Sequence, residues 1–191
     1  IEEKGLLELS RTNSGLGQAP FSNSYHQVDM YIPKIVWEEG FKVLDLEFAY
    51  GTSQDQRVAK LESKNYFDAR LYQQVQGMES THPLVAIFEY SYKYDEQVIQ
   101  EGKLASALGK TVSQAKPLLL DLARLGFISY DTELKEIRIN EKLISFVEAR
   151  SGKRDYDNIV FISDLRPKEL KDYSPEQISK DPFLQAVKTN Y

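Results

Sequence analysis

The N-terminal part of the chain contains two stretches with the pattern of β-strands. Residues 28–37 are rich in β-branched and aromatic side chains, but Pro33 interrupts them. Because a central strand needs every backbone N–H, this proline predicts an edge strand or a bulged one. Residues 42–50 alternate between apolar and polar side chains, as a half-buried strand does. The turn-like residues 38–40 lie between the two stretches, so we expect a β-hairpin.

A helix is predicted after this hairpin, over residues 64–76. Apolar side chains recur there at intervals of four, at Phe67, Leu71 and Val75. Residues 10–24 are rich in Ser, Asn and Gly and are expected to form a loop.

Residues 83–150 carry the most regular pattern of the chain. Pro83 is favoured at the first position of a helix, and Gly126 is typical of the position just after a helix end. In chain order, the segment predicts helices at 83–94, at 101–108 and from 112 or 113 to 125, strands at 127–130 and 136–140, and a helix at 141–150.

The C-terminal residues 151–191 have a mixed pattern. A strand is predicted at 158–162, and residues 174–177 have the sequence of a helix start, with Ser as the cap, Pro at the first position and Gln three residues after the cap.

These elements predict an α+β protein in three parts, 1–82, 83–150 and 151–191. We expect a small N-terminal antiparallel sheet that packs on the helical core of the middle part. The last part either adds a strand or wraps the surface.

The middle part resembles the winged helix-turn-helix module of many bacterial transcription regulators. The resemblance covers nearly all of 83–150 and implies a helix-turn-helix followed by a β-wing. The resemblance alone does not indicate DNA binding, because winged helices also serve as protein-interaction modules. The residues that carry the resemblance are Leu104, Ala105, Leu108, Gly109, Thr111, Val112, Ser113, the run 118–126, Phe127 and Ile128.

The third helix of this segment indicates which kind of partner the module contacts. With Ala115 in the core, helical geometry places three further residues on the core side, namely Val112, Leu119 and Leu122. It places four on the outer side, namely Ser113, Pro117, Leu120 and Arg124. A helix that reads the major groove usually carries Arg, Lys, Asn or Gln there, so this side favours contact with protein.

Two sets of contact residues follow from this helix. The preferred set, for a protein partner, adds one tyrosine of the first helix of this segment and consists of Pro117, Leu120, Arg124 and Tyr92. The alternative set, for a DNA-binding regulator, consists of Lys110, Ser113, Gln114, Lys116 and Arg124. The predicted wing carries more acidic than basic side chains, which disfavours contact with phosphates.

A second resemblance covers most of the chain and is carried by the segments 17–32, 82–87 and 116–123. These segments look like an internal region of very large uncharacterised proteins from Bacteroidetes. The resemblance, together with the start at Ile1, implies an excised middle domain. It implies a place in the cell envelope, whereas the regulator alternative implies the cytoplasm.

The charge of the chain also disfavours nucleic acid. The formal net charge is −5, and the three parts carry −4, −1 and 0, so none of them is basic. There is no cysteine, which excludes disulfides and thiolate nucleophiles. No apolar run approaches the roughly 18 residues of a membrane span.

Candidate chemistry is sparse. His26 and His82 have no partner at the spacing of a metal site or triad. Gly109-Lys110-Thr111 lacks the earlier glycine of a phosphate-binding loop, since Leu104 stands at that position. We therefore predict no catalytic residue, metal or cofactor. We expect a structural or protein-interaction module of a larger bacterial protein, whose partner is a protein or another domain of the parent chain.

Overall fold

The structure is a computed structural model that describes residues 5–11, 19–48 and 58–165, together with positions 175 and 179. These residues form a mixed α+β fold with five helices and ten strands in three antiparallel sheets. The elements are β1 (Leu6–Ser10), β2 (Phe21–Asn23), β3 (Val28–Tyr31), β4 (Lys34–Glu38), β5 (Asp45–Glu47), β6 (Val58–Ser63), α1 (Ala69–Gln76), α2 (Pro83–Tyr94), β7 (Val98–Gln100), α3 (Glu101–Ala107), α4 (Val112–Arg124), β8 (Ile128–Asp131), β9 (Glu136–Ile139), α5 (Glu141–Arg150) and β10 (Val160–Asp164).

The N-terminal part contributes to two sheets instead of the one that its pattern predicts. One sheet has the order β1-β4-β5, and the other has the order β10-β6-β3-β2. The predicted hairpin is present, because Ile35 of β4 faces Leu46 of β5. The prediction of one edge strand around Pro33 is wrong. The chain changes from one sheet to the other at Ile32 and Pro33, so each flanking strand stays central in its own sheet without needing the missing N–H.

The predicted C-terminal strand completes the second of these sheets. Strand β10 pairs with β6 in antiparallel register, with Phe161 opposite Leu61. It begins and ends two residues later than its pattern predicts. The helix start predicted at 174–177 falls largely outside the described residues, although position 175 is helical.

The middle part contains its predicted elements in the predicted order. Helices α2 and α5 have the predicted bounds, and α3 and α4 differ from them by about one residue. The short strand β7 is an addition, and it makes a third sheet of order β7-β9-β8. The buried side chains of these elements form the larger core, in which Phe127, Phe146 and Leu119 are fully enclosed.

Local capping explains where the helices begin. The side chain of Asp68 accepts the N–H groups of Arg70 and Leu71, so α1 begins at residue 69 rather than at 64. Phe67, just before this cap, contacts Tyr72 on the first turn. Thr111 and Gln114 form a reciprocal capping box at the start of α4.

The second sheet has one apolar and one charged face. Met30, Ala59 and Leu61 belong to the apolar face and build a second, smaller core with Ile32 and Ile35. The other face carries Asp29, Tyr31, Lys60 and Glu62, which the strand register places side by side. This charged face is turned toward the helices, because Lys142 of α5 binds Glu62. The two apolar cores are therefore joined through a charged layer.

Candidate functional site

The outer side of α4 is exposed at most of the positions predicted for it. Ser113, Lys116, Pro117 and Arg124 are exposed, whereas Ala115 is buried. Pro117 lies inside the helix, where it has no N–H to donate to the carbonyl of Ser113. The helix continues past it for seven residues.

Two residues of α4 differ from their predicted positions. Leu120 is half-buried and packs against the larger core, because the apolar stripe of α4 is wide enough to include the neighbour of Leu119. Only part of its side chain is available to a partner. Val112 was expected in the core, but it is exposed, since it is the first residue of the helix and lies beyond the end of the packed stripe.

Arg124 borders a groove between α1 and α4. The groove has a volume of about 380 Å³. Its floor is apolar, and two charged residues of α4, Asp121 and Arg124, lie at its rim 3.5 Å from each other. The apolar side chains that line it are Leu71 and Val75 of α1 together with Leu118, Leu122 and Leu125. A groove of this composition can accept an apolar side chain of another protein and fix its approach by polar contacts at the rim.

The predicted contact residue Tyr92 lies on a different helix. Its side chain is 84% exposed, and its ring stacks on that of Phe88 with the centroids 6.4 Å apart. Helix α2 packs chiefly against α5 and α3, whereas the groove is formed by α1 and α4. Tyr92 is therefore an exposed aromatic side chain of α2 and does not line the groove.

Two residues that the DNA-binding alternative would use for contacts already bind other groups of this chain. The ammonium group of Lys110 binds the carboxylate of Glu79 at 2.6 Å. The side chain of Gln114 accepts the backbone N–H of Thr111 at 3.0 Å as part of the capping box. Phosphate or base contacts by these side chains would have to replace interactions that stabilise α4 and the turn before it.

The β8–β9 turn is acidic where a DNA-binding wing would be basic. Asp131 accepts the backbone N–H groups of Glu133 and Leu134, both at 2.9 Å. Glu136 lies directly opposite Asp131 in the strand register. These three carboxylates would repel a phosphate backbone.

His82 caps α2. Its Nδ1 accepts the N–H of Leu84 at 3.1 Å, and its Nε2 lies 2.8 Å from the carbonyl oxygen of Tyr72. Because Nδ1 must accept, the proton is on Nε2, which donates to that carbonyl. The ring is buried and stacks on Tyr72, and burial lowers the pKa of His82. This histidine is neutral and structural, and His26 is exposed beside Tyr25.

A buried ion pair that the sequence did not reveal joins α5 to the second sheet. Lys142 and Glu62 have side chains only 5% and 2% exposed, and they bind each other at 2.5 Å. The Lys142 ammonium group also donates to the Tyr31 hydroxyl at 2.5 Å. That hydroxyl in turn donates to the carbonyl oxygen of Leu125 at 2.7 Å. Lys60 binds the other oxygen of Glu62 at 2.5 Å.

Burial and the neighbouring charges shift the pKa values of the side chains in this cluster. Burial lowers the pKa of Lys142, while the Glu62 charge opposes the shift. Burial alone would raise the pKa of Glu62, but Lys142 and Lys60 together bring it below its ordinary value. Burial and the nearby Glu62 and Asp29 raise the pKa of Tyr31, so it stays a hydroxyl. The polar groups of this cluster are all paired with one another or with the backbone. Such pairing is expected of a cluster that holds two parts of a fold together.

The described residues offer little for metal binding. Among them, no group of three or more His, Asp or Glu side chains is arranged to hold a metal ion. Tyr130 donates a hydrogen bond to the buried Glu101, but this contact ties α3 to β8 inside the larger core.

Comparisons of the chain with models of protein families, with curated proteins and with solved structures find no match. None of the described helices is long and apolar enough to cross a membrane.

Proposed function

We propose that residues 83–150 form a winged-helix module, and that this chain is a structural or protein-interaction domain of a larger bacterial protein. The order of elements supports the module, since helix, strand, two helices, a two-stranded hairpin and a final helix follow one another from α2 to α5. The proposal includes no catalytic chemistry, and it takes as partner a protein or another domain of the parent chain.

The observation that carries the proposal is the groove between α1 and α4. It gives the outer part of α4 an apolar recess on the helix that also exposes Pro117. A partner could insert an apolar side chain over Leu118 and Val75 while its polar groups bind Asp121 and Arg124. The phosphates and polar base edges that dominate a DNA duplex match an apolar recess poorly.

A direct test uses a photo-crosslinking amino acid in the parent protein, expressed in its own host. We expect a position at the groove rim, Gln74, to give one discrete crosslinked product. The second variant Leu118→Glu should remove that product, because it places a charge on the apolar floor. Leu134 on the wing turn is the control position, and it should give no product of the same size. Equal products at both positions, or one that persists with Leu118→Glu, would contradict the proposal.

The DNA-binding alternative is tested separately by the fluorescence anisotropy of labelled random duplex DNA. We expect no binding even at low salt, because Lys110 is paired and the wing is acidic. Binding that falls steeply with salt, and that is lost in a variant with Lys110, Lys116 and Arg124 changed to Glu, would replace our proposal with a regulator.

A further inference from the structure

Strand β10 lies at the edge of the second sheet, with β6 as its neighbour on one side. Among the described residues, no strand pairs with its other side. An edge strand presents backbone N–H and C=O groups that another extended chain can bind, so monomeric proteins usually protect such edges with charges, prolines or bulges.

The side chains of β10 offer little of this protection, since its only charge is that of Asp164 at the end of the strand. Residues 159–163 contain no charged side chain and no proline. Val160 and Ile162 share one face of the sheet with Glu62 and Lys60, and Phe161 lies on the other face with Leu61. Phe161 and Ile162 are 65% and 67% exposed. Within the described part of the chain, the strand therefore has apolar surface on both faces next to an unpaired backbone edge.

We infer that β10 pairs in antiparallel register with β10 of a second copy of this chain. A two-fold axis at Phe161 places that residue opposite itself. It also places Val160 opposite Ile162, so four aliphatic side chains of the two copies meet on one face. The two phenylalanines meet on the other face. The sheet of each copy then continues into that of its partner.

One charged residue at the end of the strand and one amide just before its start favour this register and this partner. With the axis at Phe161, the carboxylate of Asp164 lies opposite the amide of Asn158, which can donate a hydrogen bond to it. With the axis at Ile162, Asp164 would lie opposite the aliphatic Val160 and lose that donor. The strand is thus complementary to itself in one register, which is the requirement of a two-fold interface.

The contact is small. Stable complexes bury roughly 1,600 Å² in total, and pairing of one short strand edge buries less. We therefore expect a weak dimer that forms at high protein concentration. The inference does not depend on the α1–α4 groove, and either can be wrong without the other.

The test is sedimentation velocity of the purified chain over a range of concentrations from about 10 µM to about 1 mM, where weak interfaces are populated. The wild type should change from monomer to dimer within this range. Phe161→Lys and Phe161→Glu should each weaken dimerisation at least about tenfold, because they place like charges directly opposite each other. An equimolar mixture of the two variants should dimerise again, since the opposed charges then attract.

Leu134→Lys is the matched control, because Leu134 is also 65% exposed but lies on the wing turn. It should dimerise as the wild type does. Recovery in the mixture also shows that both Phe161 variants are folded. A wild type that stays monomeric at the highest concentration overturns the inference. So does a Phe161→Lys variant that dimerises normally, or a mixture that stays monomeric.

Discussion

At the scale of single residues, the ring of His82 has one protonation state that fits its surroundings. Nδ1 accepts from Leu84 and Nε2 donates to Tyr72, so a second proton would remove the cap of α2. Burial lowers the pKa of the folded state below the ordinary value of 6.5. The contribution of His82 to stability is therefore full above pH 6.5 and is lost as the pH falls through the lowered folded-state pKa.

We therefore predict that His82 contributes to the pH dependence of the free energy of unfolding. The free energy of unfolding in urea should decrease more steeply below pH 6.5 for the wild type than for His82→Asn. At pH 7.5 the variant should be less stable by about 1–2 kcal/mol, because asparagine can cap the helix but loses the bond to Tyr72. His26→Asn, at an exposed position, should follow the wild-type profile. A His82→Asn profile parallel to the wild type would contradict the assignment.

Gly126 shows a different constraint, since both its backbone and its surroundings require glycine. Its φ is +81°, and an added Cβ would lie 2.8 Å from Cγ of Pro20 and 3.0 Å from the Tyr31 hydroxyl. The end of α4 therefore approaches the N-terminal part of the chain at this point.

We expect Gly126→Ala to lower the free energy of unfolding by about 2–4 kcal/mol, since backbone strain of about 1–3 kcal/mol adds to the overlap with Pro20. Gly152→Ala is the control, because Gly152 has a φ of +73° with no atom within 4 Å of the added Cβ. The Gly152→Ala variant should lose only the part of the free energy of unfolding that backbone strain accounts for. Equal losses in the two variants, measured by thermal and urea unfolding, would mean that the approach of Pro20 has no energetic effect.

At the scale of elements, Pro117 is a proline that lowers the net stability of α4. Its ring prevents one hydrogen bond within the helix, and its side chain is exposed. We therefore expect this proline to act at the surface of the protein.

Pro117→Ala should therefore stabilise the chain. The recovered hydrogen bond and better helix propensity outweigh the roughly 0.4–1 kcal/mol that proline contributes by restricting the unfolded chain, and we expect a net gain of about 1–2 kcal/mol. Lys116→Ala, at the neighbouring exposed position, should change stability by less than about 0.5 kcal/mol. A less stable Pro117→Ala variant would show that the proline has a structural role.

Elements with local signals were predictable from the sequence, and those that depend on distant partners were not. Pro83 and Gly126 fix helix ends through chemistry within a few residues. Strand β6 was missed because its alternation of apolar and charged side chains is short, from Ala59 to Glu62, and the burial of the charged face depends on a distant partner. The partner of Glu62, Lys142, lies 80 residues away.

The candidate surface was predictable in part for the same reason. Helical periodicity placed Pro117 and Arg124 on the outer side of α4. It could not show that α1 lies beside this helix, so the groove over Leu71 and Val75 was missed. The spacing of these two residues indicated an apolar face, but nothing in the sequence indicated what it packs against.

At the scale of the whole molecule, we predict that the charged layer between the two cores governs how the chain unfolds. Trp37, the only tryptophan, lies in β4 beside the smaller core. The five helices named above all lie between residues 69 and 150. Tryptophan fluorescence and helical circular dichroism therefore report on the two sides of the layer separately.

In the wild type, we expect the two signals to change together during unfolding in urea. Glu62→Gln leaves the Lys142 ammonium group buried without its carboxylate, which costs roughly 3–5 kcal/mol and weakens the junction. The fluorescence transition should then precede the helical one. Glu8→Gln is the control, because Glu8 pairs with Lys34 within the first sheet and away from the charged layer, and its signals should stay coincident. Coincident transitions in Glu62→Gln would mean that other contacts couple the cores.

The pairing of β10 with β6 also bears on how the chain folds while it is being synthesised. Val160 lies opposite Glu62, so the ribosome must add about a hundred residues after β6 before its neighbour exists. The helices and the β7-β9-β8 sheet leave the exit tunnel earlier and need no later residue for their own pairing. The emerging chain therefore carries a finished helical unit beside a sheet that still lacks its last strand. During that interval β6, rather than β10, is the open edge of the sheet, and the nascent protein is most exposed to chaperones and to mispairing there.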